Sequence, residues 1–381
     1  MAVGDVAASP KCPAEMSQLL ENRFDTLTSQ VAEHLRLELS KGGWGEWMPS
    51  ERNLTNSLQV SRKTLRKALG RLQNEGLVET IHGLGTRILV KAKNGSVSVS
   101  SKKPPVVVLL TPEPLERMRP YTSHWVNHLK SMLIEHGARL LPIDGRKYFS
   151  RRPGNALARL ISQHTANCWV LGHSREDTQR WFAENGLPCV IAGSCHAGVD
   201  LPDLDVDHFA ICRHAVGRLL AAGHRHVAML NAKTGRAGDV ESEAGFVAGM
   251  RGAQYGSIVP QVINHEHSVD HLCKALAHLL DQKHPPTALL VSDPTDYLTV
   301  VSVLAQSRLR VPQDISVICR DDDYYLNALV PTPTCYVCTP SSYARHLLKS
   351  ILHVIEGETV TPRHVRIFPK YSKGETLRNI L

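Results

Sequence analysis

The sequence lacks the features that would assign it to a membrane, an export route or a disulfide-stabilised fold. It contains no run of about eighteen apolar residues, so it predicts no transmembrane helix. Its first residues, MAVGDVAASPKCPAEM, lack the basic start and apolar centre of a signal peptide. Nine cysteines are scattered over 381 residues without a dense framework, which indicates reduced thiols. We therefore expect a soluble, multidomain, cytoplasmic protein with no membrane partner.

Closely spaced cysteines and histidines are present, but none has the pattern of a metal site. The CYVC motif that begins at Cys335 has no second ligand pair at matching separation, and its cysteines are more simply two small residues in a strand. Alternate histidines occur in HRH (224–226) and HEH (265–267), without carboxylates in a ligand pattern. We assign no metal and no cofactor to the chain.

What the sequence does contain is an uneven distribution of positive charge. The whole chain has 44 Lys and Arg against 36 Asp and Glu, whereas residues 22–104 alone have 14 against 7. Most of the excess therefore lies in the first quarter. A polyanion-binding module joined to a nearly neutral domain would give this asymmetry, although a merely solvated basic face would give it too.

The same quarter predicts three helices followed by a hairpin. Apolar residues return at helical spacing over 24–39. Ser50 can cap a second helix that reaches Leu58, and Ser61 can cap a third that reaches about Asn74. The run LVETIHGLGTRILV then reads as two short strands around a glycine-containing turn. This order of elements predicts a winged helix-turn-helix.

The third predicted helix has an apolar face, and its remaining surface is basic without any acid. The apolar face holds Leu65, Ala68, Leu69 and Leu72, and the basic residues are Arg62, Lys63, Arg66, Lys67 and Arg71. The major groove of B-DNA admits one such helix. Arg62 and Arg66 lie one turn apart, so either could contact O6 and N7 of guanine, while the hydroxyls of Ser61 and Thr64 suit phosphate oxygens. The predicted partner is a double-stranded DNA operator.

The run PSERNLTNSLQVSRKTLRKALGRLQNEGLVETIHGLGT resembles the winged-helix domain of GntR-family transcription regulators. The resemblance implies that the residues contacting DNA are Arg52, Ser61, Arg62, Thr64 and Arg66 and, at the tip of the wing, His82, Gly83, Gly85 and Thr86. The chain departs from the family where Trp47-Met48 replaces the usual leucine before Pro49. We expect this departure to alter loop packing without abolishing DNA binding.

The composition changes between the first quarter and the remainder of the chain. Residues 92–104 are rich in Ser and Lys and poor in large apolar groups, as in a flexible linker, and residues 1–21 resemble a disordered leader. These boundaries predict a DNA-binding domain over 22–91 and a second domain over 105–372.

The second domain alternates continuous apolar runs with helical patterns. The predicted strands are VVVLL (106–110), ARLLPI (138–143), CWVLG (168–172), PCVIAG (188–193), HVAML (226–230), ALLVS (288–292) and ISVIC (315–319). This alternation predicts an α/β fold with parallel, doubly wound sheets in two lobes, and a ligand crevice at the carboxyl ends of the strands.

The run from DVDHFAICRHAVGRLLAAGHRHVAML to PTPTCYVCTP resembles the effector-binding domain of LacI-family repressors, itself similar to periplasmic sugar-binding proteins. The resemblance implies chain crossings between the lobes near 206, 323 and 339. It also implies that Asp293, in VSDP, accepts hydrogen bonds from the hydroxyls of a ligand. A carboxylate can bridge vicinal hydroxyls in this way, but Asp293 could instead cap the helix that begins near Pro294.

Two departures from the LacI-type pattern affect the expected effector site. Ser242 stands where the family has an arginine that holds the ligand, and Cys319-Arg320-Asp321-Asp322 replaces Gly-Phe-Asp-Asp. Arg320 could bind an acidic effector, or it could pair with the neighbouring aspartates, which we favour. The predicted effector-binding residues are therefore Asp293, Asp321, Arg320 and Ser242, with a sugar as the expected ligand and a degenerate or non-sugar-sensing domain as the alternative.

Together these patterns predict a transcription regulator, more commonly a repressor by resemblance, that acts as a homodimer. Effector binding would close the lobes and change the spacing of two DNA-binding domains. Some GntR-type domains are fused to aminotransferase-like enzymes, but the sequence has no such signature, no P-loop and no nucleophile elbow. We therefore predict no enzymatic activity. A transport binding protein is a separate alternative, and the attached DNA-binding pattern disfavours it.

Overall fold

The computed structural model describes residues 26–41, 44–45, 47–58, 60–81, 85–89, 104–252, 260–266 and 268–381. The chain separates into two compact units between Ser101 and Lys102. The predicted leader and all of the predicted linker except Pro104 lie outside the described residues, so these boundaries stay predictions.

The first unit contains the three helices and the hairpin that the sequence predicts. Its elements are α1 (Thr26–Lys41), α2 (Glu51–Leu58), α3 (Arg62–Asn74), β1 (Val78–Ile81) and β2 (Gly85–Ile88). The two strands are antiparallel, with Val78 opposite Ile88. The core is formed by one face of each helix, through Leu35, Leu54 and Leu65, together with Val78 of the hairpin. Burial of this apolar stripe leaves the opposite face of α3 in solvent.

The second unit begins with a six-stranded parallel sheet, which defines the first lobe. Its strands are β3 (Val106–Thr111), β4 (Arg139–Asp144), β5 (Cys168–Gly172), β6 (Cys189–Ala192), β7 (Asp203–Val206) and β13 (His364–Ile367). They lie in the order β13-β7-β6-β5-β3-β4. The helices of this lobe are α4 (Pro120–Glu135), α5 (Gly154–Gln163), α6 (Glu176–Glu184) and α11 (Pro340–Glu356). Leu129 of α4 and Leu347 of α11 belong to one core of this lobe, and Leu157 of α5 and Phe182 of α6 to another.

The second lobe is built on a four-stranded parallel sheet. Its strands are β8 (Val227–Ala232), β9 (Gln261–His265), β10 (Ala288–Val291) and β11 (Ser316–Cys319), in the order β11-β10-β8-β9. A short antiparallel pair, β12 (Cys335–Val337) and β14 (Lys370–Ser372), belongs to the same lobe. Its helices are α7 (His208–Ala221), α8 (Ala237–Arg251), α9 (Val269–Leu280) and α10 (Pro294–Gln306). Short 3-10 helices span Leu115–Arg117, Arg146–Phe149 and Tyr324–Ala328. The predicted α/β fold class with doubly wound parallel sheets is confirmed.

All seven predicted strands form, and most of the strands that were not predicted mix polar and apolar residues. β13 and β9 lie at the edges of their sheets, and β7 is the neighbour of β13. β7 reads DLDV and β13 reads HVRI. An edge strand is covered less completely than a central one, so its sequence need not be a continuous apolar run.

The chain passes between the lobes at three places, one of which differs from expectation. It enters the second lobe after Val206 and returns between β12 and α11, next to the positions expected near 206 and 339. The crossing expected near 323 does not occur there, because Leu326 and Cys335 pack into the core of the second lobe. The third passage lies instead between Ile367 and Lys370, from β13 to β14.

No helix in the described parts of the chain is both long and apolar enough to span a bilayer. Among the same residues, no cluster of three or more histidine, cysteine or acidic side chains is arranged to hold a metal ion. Cys335 and Cys338 are free thiols, and Cys335 lies in strand β12.

Candidate nucleic-acid interface and interlobe cleft

The N-terminus of α3 is fixed by the serine that precedes it. The Oγ atom of Ser61 accepts the backbone N–H of Thr64 at 3.1 Å, and the two hydroxyl oxygens lie 2.8 Å apart. This cap satisfies one of the unpaired N–H groups of the first turn. Leu65 and Leu72 are fully buried beneath the same helix. The cap and the core together hold the outer face of α3 in one orientation.

The outer face of α3 is basic and exposed. Arg62, Lys63, Arg66 and Lys67 are all exposed, as is Arg52 on α2. These are the arginines that the sequence predicts at the DNA interface, together with the two lysines beside them.

Arg66 has a partner that the sequence reasoning did not identify. Its Nε atom donates to Glu51 at 3.0 Å, and the side chains are 69% and 33% exposed. Both contacts with the Glu51 carboxylate use Nε. An exposed pair of this kind contributes little to stability, so its main effect is to orient Arg66.

The predicted DNA-contacting residues of the wing differ in exposure. Gly85 is exposed with φ of +120°, a backbone conformation that glycine adopts without strain. Thr86 is only 8% exposed because alternate residues of a strand face opposite sides. The Thr86 side chain therefore packs inside the unit, and the prediction that it contacts DNA is corrected. His82 and Gly83 lie outside the described residues.

Trp47 and Met48, the departures before Pro49, join the loop to the wing. Met48 is buried in the core, and its N–H donates to the carbonyl of Thr86 at 2.9 Å. Trp47 forms an antiparallel bridge with Arg87 and lies 3.8 Å from the position that a Cβ on Gly85 would take. The altered loop thus supports the base of the wing.

In the second unit, a cavity of about 140 Å³ lies between the lobes at the carboxyl ends of the strands. The first lobe lines it with Arg119, Thr122, Trp125, His173, Ser194 and Asp205, and the second lobe with Arg236, Asp239, Asp293, Arg320 and Asp321, among others. This is where ligands bind in open α/β sheets. Its lining is rich in charge, with arginines and aspartates from both lobes.

Asp293 caps α10, which is one of the two roles considered for it, and it also lines the cavity. Its Oδ1 atom accepts the N–H of Thr295 at 2.8 Å and so caps α10, while Oδ2 lies 3.5 Å from Arg119. Burial alone would raise the pKa of Asp293, but Arg119 and the Thr295 N–H outweigh it, so the pKa lies below its usual value. The carboxylate stays ionised and faces the cavity.

Arg320 is turned toward its neighbours. Its Nε and Nη2 atoms lie 3.1 and 2.8 Å from the carboxylate of Asp321, and Nη1 donates to the Ser242 hydroxyl at 2.7 Å. Burial raises the pKa of Asp321, but the contact with Arg320 more than reverses this shift. The guanidinium of Arg320 thus lies beside Ser242. Arg320 pairs with a neighbouring aspartate, which is the alternative that we favour over binding of an acidic effector.

Arg119, which the sequence reasoning missed, links the two lobes. It precedes α4 in the first lobe, and its guanidinium lies 3.1 Å from Asp321, 3.4 Å from Asp323 and 3.5 Å from Asp293, all in the second lobe. Its Nη2 atom also donates to the carbonyl of Asp322 at 3.2 Å. Arg119, together with Arg320 beside Asp321, therefore offsets the negative charge that the aspartates bring to this side of the cleft.

His173 and Arg236 make a second link across the cleft. The Nη1 atom of Arg236, in the second lobe, donates to Nδ1 of His173, in the first, at 2.8 Å. Burial, followed by Arg236 and Arg119, lowers the pKa of His173 to about 3, so the imidazole is neutral at physiological pH. His173 also has φ of +53°, which is uncommon for a residue with a side chain.

A third link uses carboxylates from both lobes. Ser194 donates to Asp205 at 3.0 Å within the first lobe, and its oxygen lies 2.8 Å from Glu241 in the second. Arg366 of β13 pairs with the same glutamate at 3.1 Å. The cleft is therefore closed by direct polar contacts between the lobes.

Comparison with protein families assigns both units. Residues 27–88 match the family described as bacterial regulatory proteins, gntR family, and residues 216–377 match the periplasmic binding protein-like domain. The chain is a transcription regulator that joins these two domains. The resemblances seen in the sequence are thereby confirmed.

Named relatives of this regulator are 25% identical to it over the aligned part of each chain. The HTH-type transcriptional regulator CelR of Thermobifida fusca is 25% identical over 237 residues, which are 60% of this chain and 68% of CelR. A probable opine utilization operon repressor of Rhizobium rhizogenes is 25% identical over 171 residues, or 43% of this chain and 86% of the repressor. These relatives are regulators and not enzymes, in agreement with the prediction.

Solved structures share the fold of the regulator. A complex of CelR with cellobiose is 21% identical, has a TM-score of 0.62, and covers 84% of this chain and 92% of its own. A LacI-type regulator from Bacillus cereus is 18% identical, has a TM-score of 0.65, and covers 73% of this chain and 99% of its own. At these identities the likeness concerns the fold.

Three of the four predicted effector residues of the regulator, Asp293, Arg320 and Asp321, line one side of the cleft. Ser242 does not line it, because it is fully buried behind Arg320. The residues that the sequence reasoning missed, Arg119, His173 and Arg236, face them from both lobes. All three lie in connections just after a strand or just before a helix, where no periodic pattern marks them. The only signal in the sequence was that these residues follow predicted strands, whose carboxyl ends line a crevice.

Proposed function

We propose that this regulator binds an operator as a homodimer, and that a small-molecule effector in the interlobe cleft controls its operator affinity. The observation that supports the proposal best is the set of ionic contacts between the lobes, above all those of Arg119 with Asp293 and Asp321. A ligand that competes for these groups must change how the lobes meet. Such a change is the kind of two-state element through which a ligand can act on a distant partner.

On the DNA side, the proposal assigns base contacts to Arg62 and Arg66. The phosphates are assigned to Arg52, Ser61 and Thr64. The exposed N-terminus of α3 adds a partial positive charge that favours phosphate. The wing contributes Gly85 and, beyond the described residues, His82 and Gly83. Because paired half-sites require a two-fold protein, the regulator is expected to act as a dimer in the cytoplasm, where the operator lies.

On the effector side, a sugar or sugar derivative is the proposed ligand. Asp293 and Asp321 can accept hydrogen bonds from hydroxyl groups, which suits a polyol. The complex of CelR with cellobiose supports this class, since it has the same fold. The name of the opine utilization repressor supports the alternative, a polar effector that is not a simple sugar.

DNA binding is tested by measuring the affinity of the full-length protein for selected duplexes over a range of salt concentrations. The logarithm of the affinity should fall with the logarithm of the salt concentration by about 0.9 for each neutralised phosphate. An affinity that does not change with salt would rule out phosphate contacts as the main source of binding.

Effector binding is tested by thermal unfolding against neutral sugars, sugar acids and sugar phosphates. A ligand present at about 1,000 times its dissociation constant should stabilise the protein by about 4 kcal/mol. Asp293→Asn keeps an oxygen that can cap α10 but removes the charge, so the stabilisation should weaken. Asp207→Asn is the matched control, because Asp207 caps α7 through the N–H of Ala210 and does not line the cleft.

Regulation is tested by repeating the DNA titration with the ligand that stabilises the protein. A coupled site should change operator affinity by about 5-fold to 150-fold, which is the usual range of coupling energies. Binding of a ligand without any change in operator affinity would leave a sensor domain that is not linked to DNA. Light scattering of the free protein tests for the homodimer.

A further inference from the structure

Arg236 differs from the other arginines that bridge the lobes. Arg119 and Arg366 each pair with at least one carboxylate. Arg236 also lines the cleft, yet in the described residues no ion pair involves it. Its Nε atom donates to the Thr234 hydroxyl at 2.6 Å and its Nη1 atom to His173 at 2.8 Å, and both of these partners are neutral. Burial raises the pKa of Asp293, and Arg119, the Thr295 N–H and then the positive charge of Arg236 lower it. The hydrogen-bond partners of Arg236 are nevertheless neutral. A half-buried guanidinium with neutral hydrogen-bond partners is open to an anion.

His173 cannot supply the missing negative charge, and its ring fixes the direction of Arg236. Because Nδ1 accepts from Arg236, the ring proton lies on Nε2, which is 3.4 Å from the Thr122 hydroxyl. Burial, followed by the positive charges of Arg236 and Arg119, lowers the pKa of His173. The Nδ1 lone pair of His173 thus accepts the hydrogen bond that an oxygen of an anionic ligand would otherwise accept from Arg236.

The nearby carboxylates already have partners. Asp239 accepts the N–H and the hydroxyl of Thr234, at 2.9 and 2.5 Å. Asp205 contacts Ser194 and also His208, whose Nε2 lies 3.2 Å away. Neither aspartate forms an ion pair with Arg236.

A second arginine approaches the same turn from the first lobe. Gly235 has φ of +80°, and a Cβ added to it would lie 2.7 Å from Nη2 of Arg175. Arg175 is exposed and, among the described residues, has no ion pair either. Arg175 from the first lobe thus contacts the turn that precedes Arg236, and neither arginine forms an ion pair within the described residues.

We propose that Arg236, with His173 behind it and Arg175 at the rim, forms an anion-binding subsite of the cleft, and that the effector carries a carboxylate or phosphate group. This inference rests on the proposed function of the cleft as an effector site and adds the chemical class of the effector. The anionic group of the effector replaces His173 as the acceptor from Arg236. Its hydroxyl groups face Asp293 and Asp321 on the same lobe.

The subsite is tested by thermal unfolding of the full-length protein at constant ionic strength. The probes are acetate, inorganic phosphate, glucuronate, glucose 6-phosphate and neutral glucose. We expect an anionic probe to stabilise the wild type, and Arg236→Gln to require about 10-fold to 100-fold more of it, as for the loss of a charge-assisted hydrogen bond. Arg236→Lys keeps the charge and should retain part of the response. A response to carboxylates alone or to phosphates alone identifies the group.

Arg159→Gln is the matched control, since Arg159 is an exposed arginine on α5 that does not line the cleft. It should respond to the probes like the wild type. Equal responses of the wild type and Arg236→Gln to every anionic probe, including no response in either, would overturn the subsite. So would a neutral sugar that stabilises both proteins better than its acid does.

Operator affinity measured with and without the anionic probe separates this inference from the proposed function. It is measured in the wild type and in Arg159→Gln, because Arg236→Gln removes the contact of Arg236 with His173 and so itself alters how the lobes meet. Loss of the response to anions in Arg236→Gln but not in Arg159→Gln supports the subsite. If anions bind through Arg236 but leave operator affinity unchanged, the subsite stands and the regulatory function fails.

Discussion

The arginines of α3 and the arginines of the cleft differ in what surrounds them. Arg62 and Arg66 are exposed on a helix that carries no acidic residue, and the partner of Arg66 comes from another helix. Arg119 is 22% exposed and contacts carboxylates from the opposite lobe. The first arrangement leaves cations available to an external polyanion, whereas the second uses a cation to hold two parts of one domain together. The same residue type therefore has a binding role in one unit and a bridging role in the other.

The largest effect is expected where the bridging cation is removed. Arg119→Ala leaves the carboxylates of Asp293, Asp321 and Asp323 facing one another without their shared partner. We expect it to lower the free energy of unfolding of the second unit by about 2 to 4 kcal/mol, somewhat less than for a fully buried pair. Urea denaturation measures the change, and Arg159→Ala is the exposed control. A loss no greater than that of the control would show that the bridge does not stabilise the closed cleft.

The next largest effect is expected at the DNA-binding face. Arg66→Ala should weaken binding to a specific duplex by about 1 to 3 kcal/mol and relax the preference at one base pair. Competition titrations against duplexes that differ at single positions measure both changes. An equal loss on every sequence would assign Arg66 to a phosphate instead.

A smaller effect on the free energy of unfolding is expected from a change of pH, through the titration of His173 in the cleft. The folded pKa of His173 is about 3, below its ordinary value of 6.5, because of burial and of Arg236 and Arg119, while Asp205 and Asp293 oppose the shift. Below pH 6.5 the unfolded chain binds a proton that the folded chain does not, so stability should fall as pH falls. The slope approaches at most about 1.4 kcal/mol per pH unit.

His173→Asn removes this titration. Urea denaturation at pH 7.5, 6.5 and 5.5 should give a shallower pH dependence for the variant than for the wild type. If the two proteins lose stability in parallel, the imidazole of the wild type is not held neutral.

The smallest effect is expected from a single exposed lysine. Lys63→Ala should weaken DNA binding by the same factor on every sequence, and should reduce the log-log salt slope by about 1. The contrast with Arg66→Ala separates phosphate contacts from base contacts on one helix. A sequence-dependent loss in Lys63→Ala would remove that distinction.

Local patterns were sufficient for most of the elements and for the DNA-binding face. The caps at Ser50 and Ser61, the spacing of Leu65 and Leu72, and the continuous apolar strands each depend on residues near one another in the chain. Where the pattern was weak, as in DLDV of β7, the strand was missed. The crossing expected near 323 was wrong because packing of Leu326 and Cys335, and not local sequence, keeps that segment in the second lobe.

Only part of the cleft was predicted, because its residues lie far apart in the sequence. Asp293, Arg320 and Asp321 lie in recognisable motifs at the ends of strands, but Arg119 meets them from more than 170 positions away. Similarly, Thr86 was placed at the wing surface, although the alternation of a paired strand turns it inward.

The sequence by itself determined the two domains, their classes and the basic face of α3, because periodicity, capping and composition are local properties. Only the tertiary structure decided which charges meet across the cleft, and hence that Arg236, unlike Arg119 and Arg366, forms no ion pair within the described residues. Pairing of charges depends on distances of a few ångströms between residues that the chain separates widely, and those distances are set by packing of the two lobes.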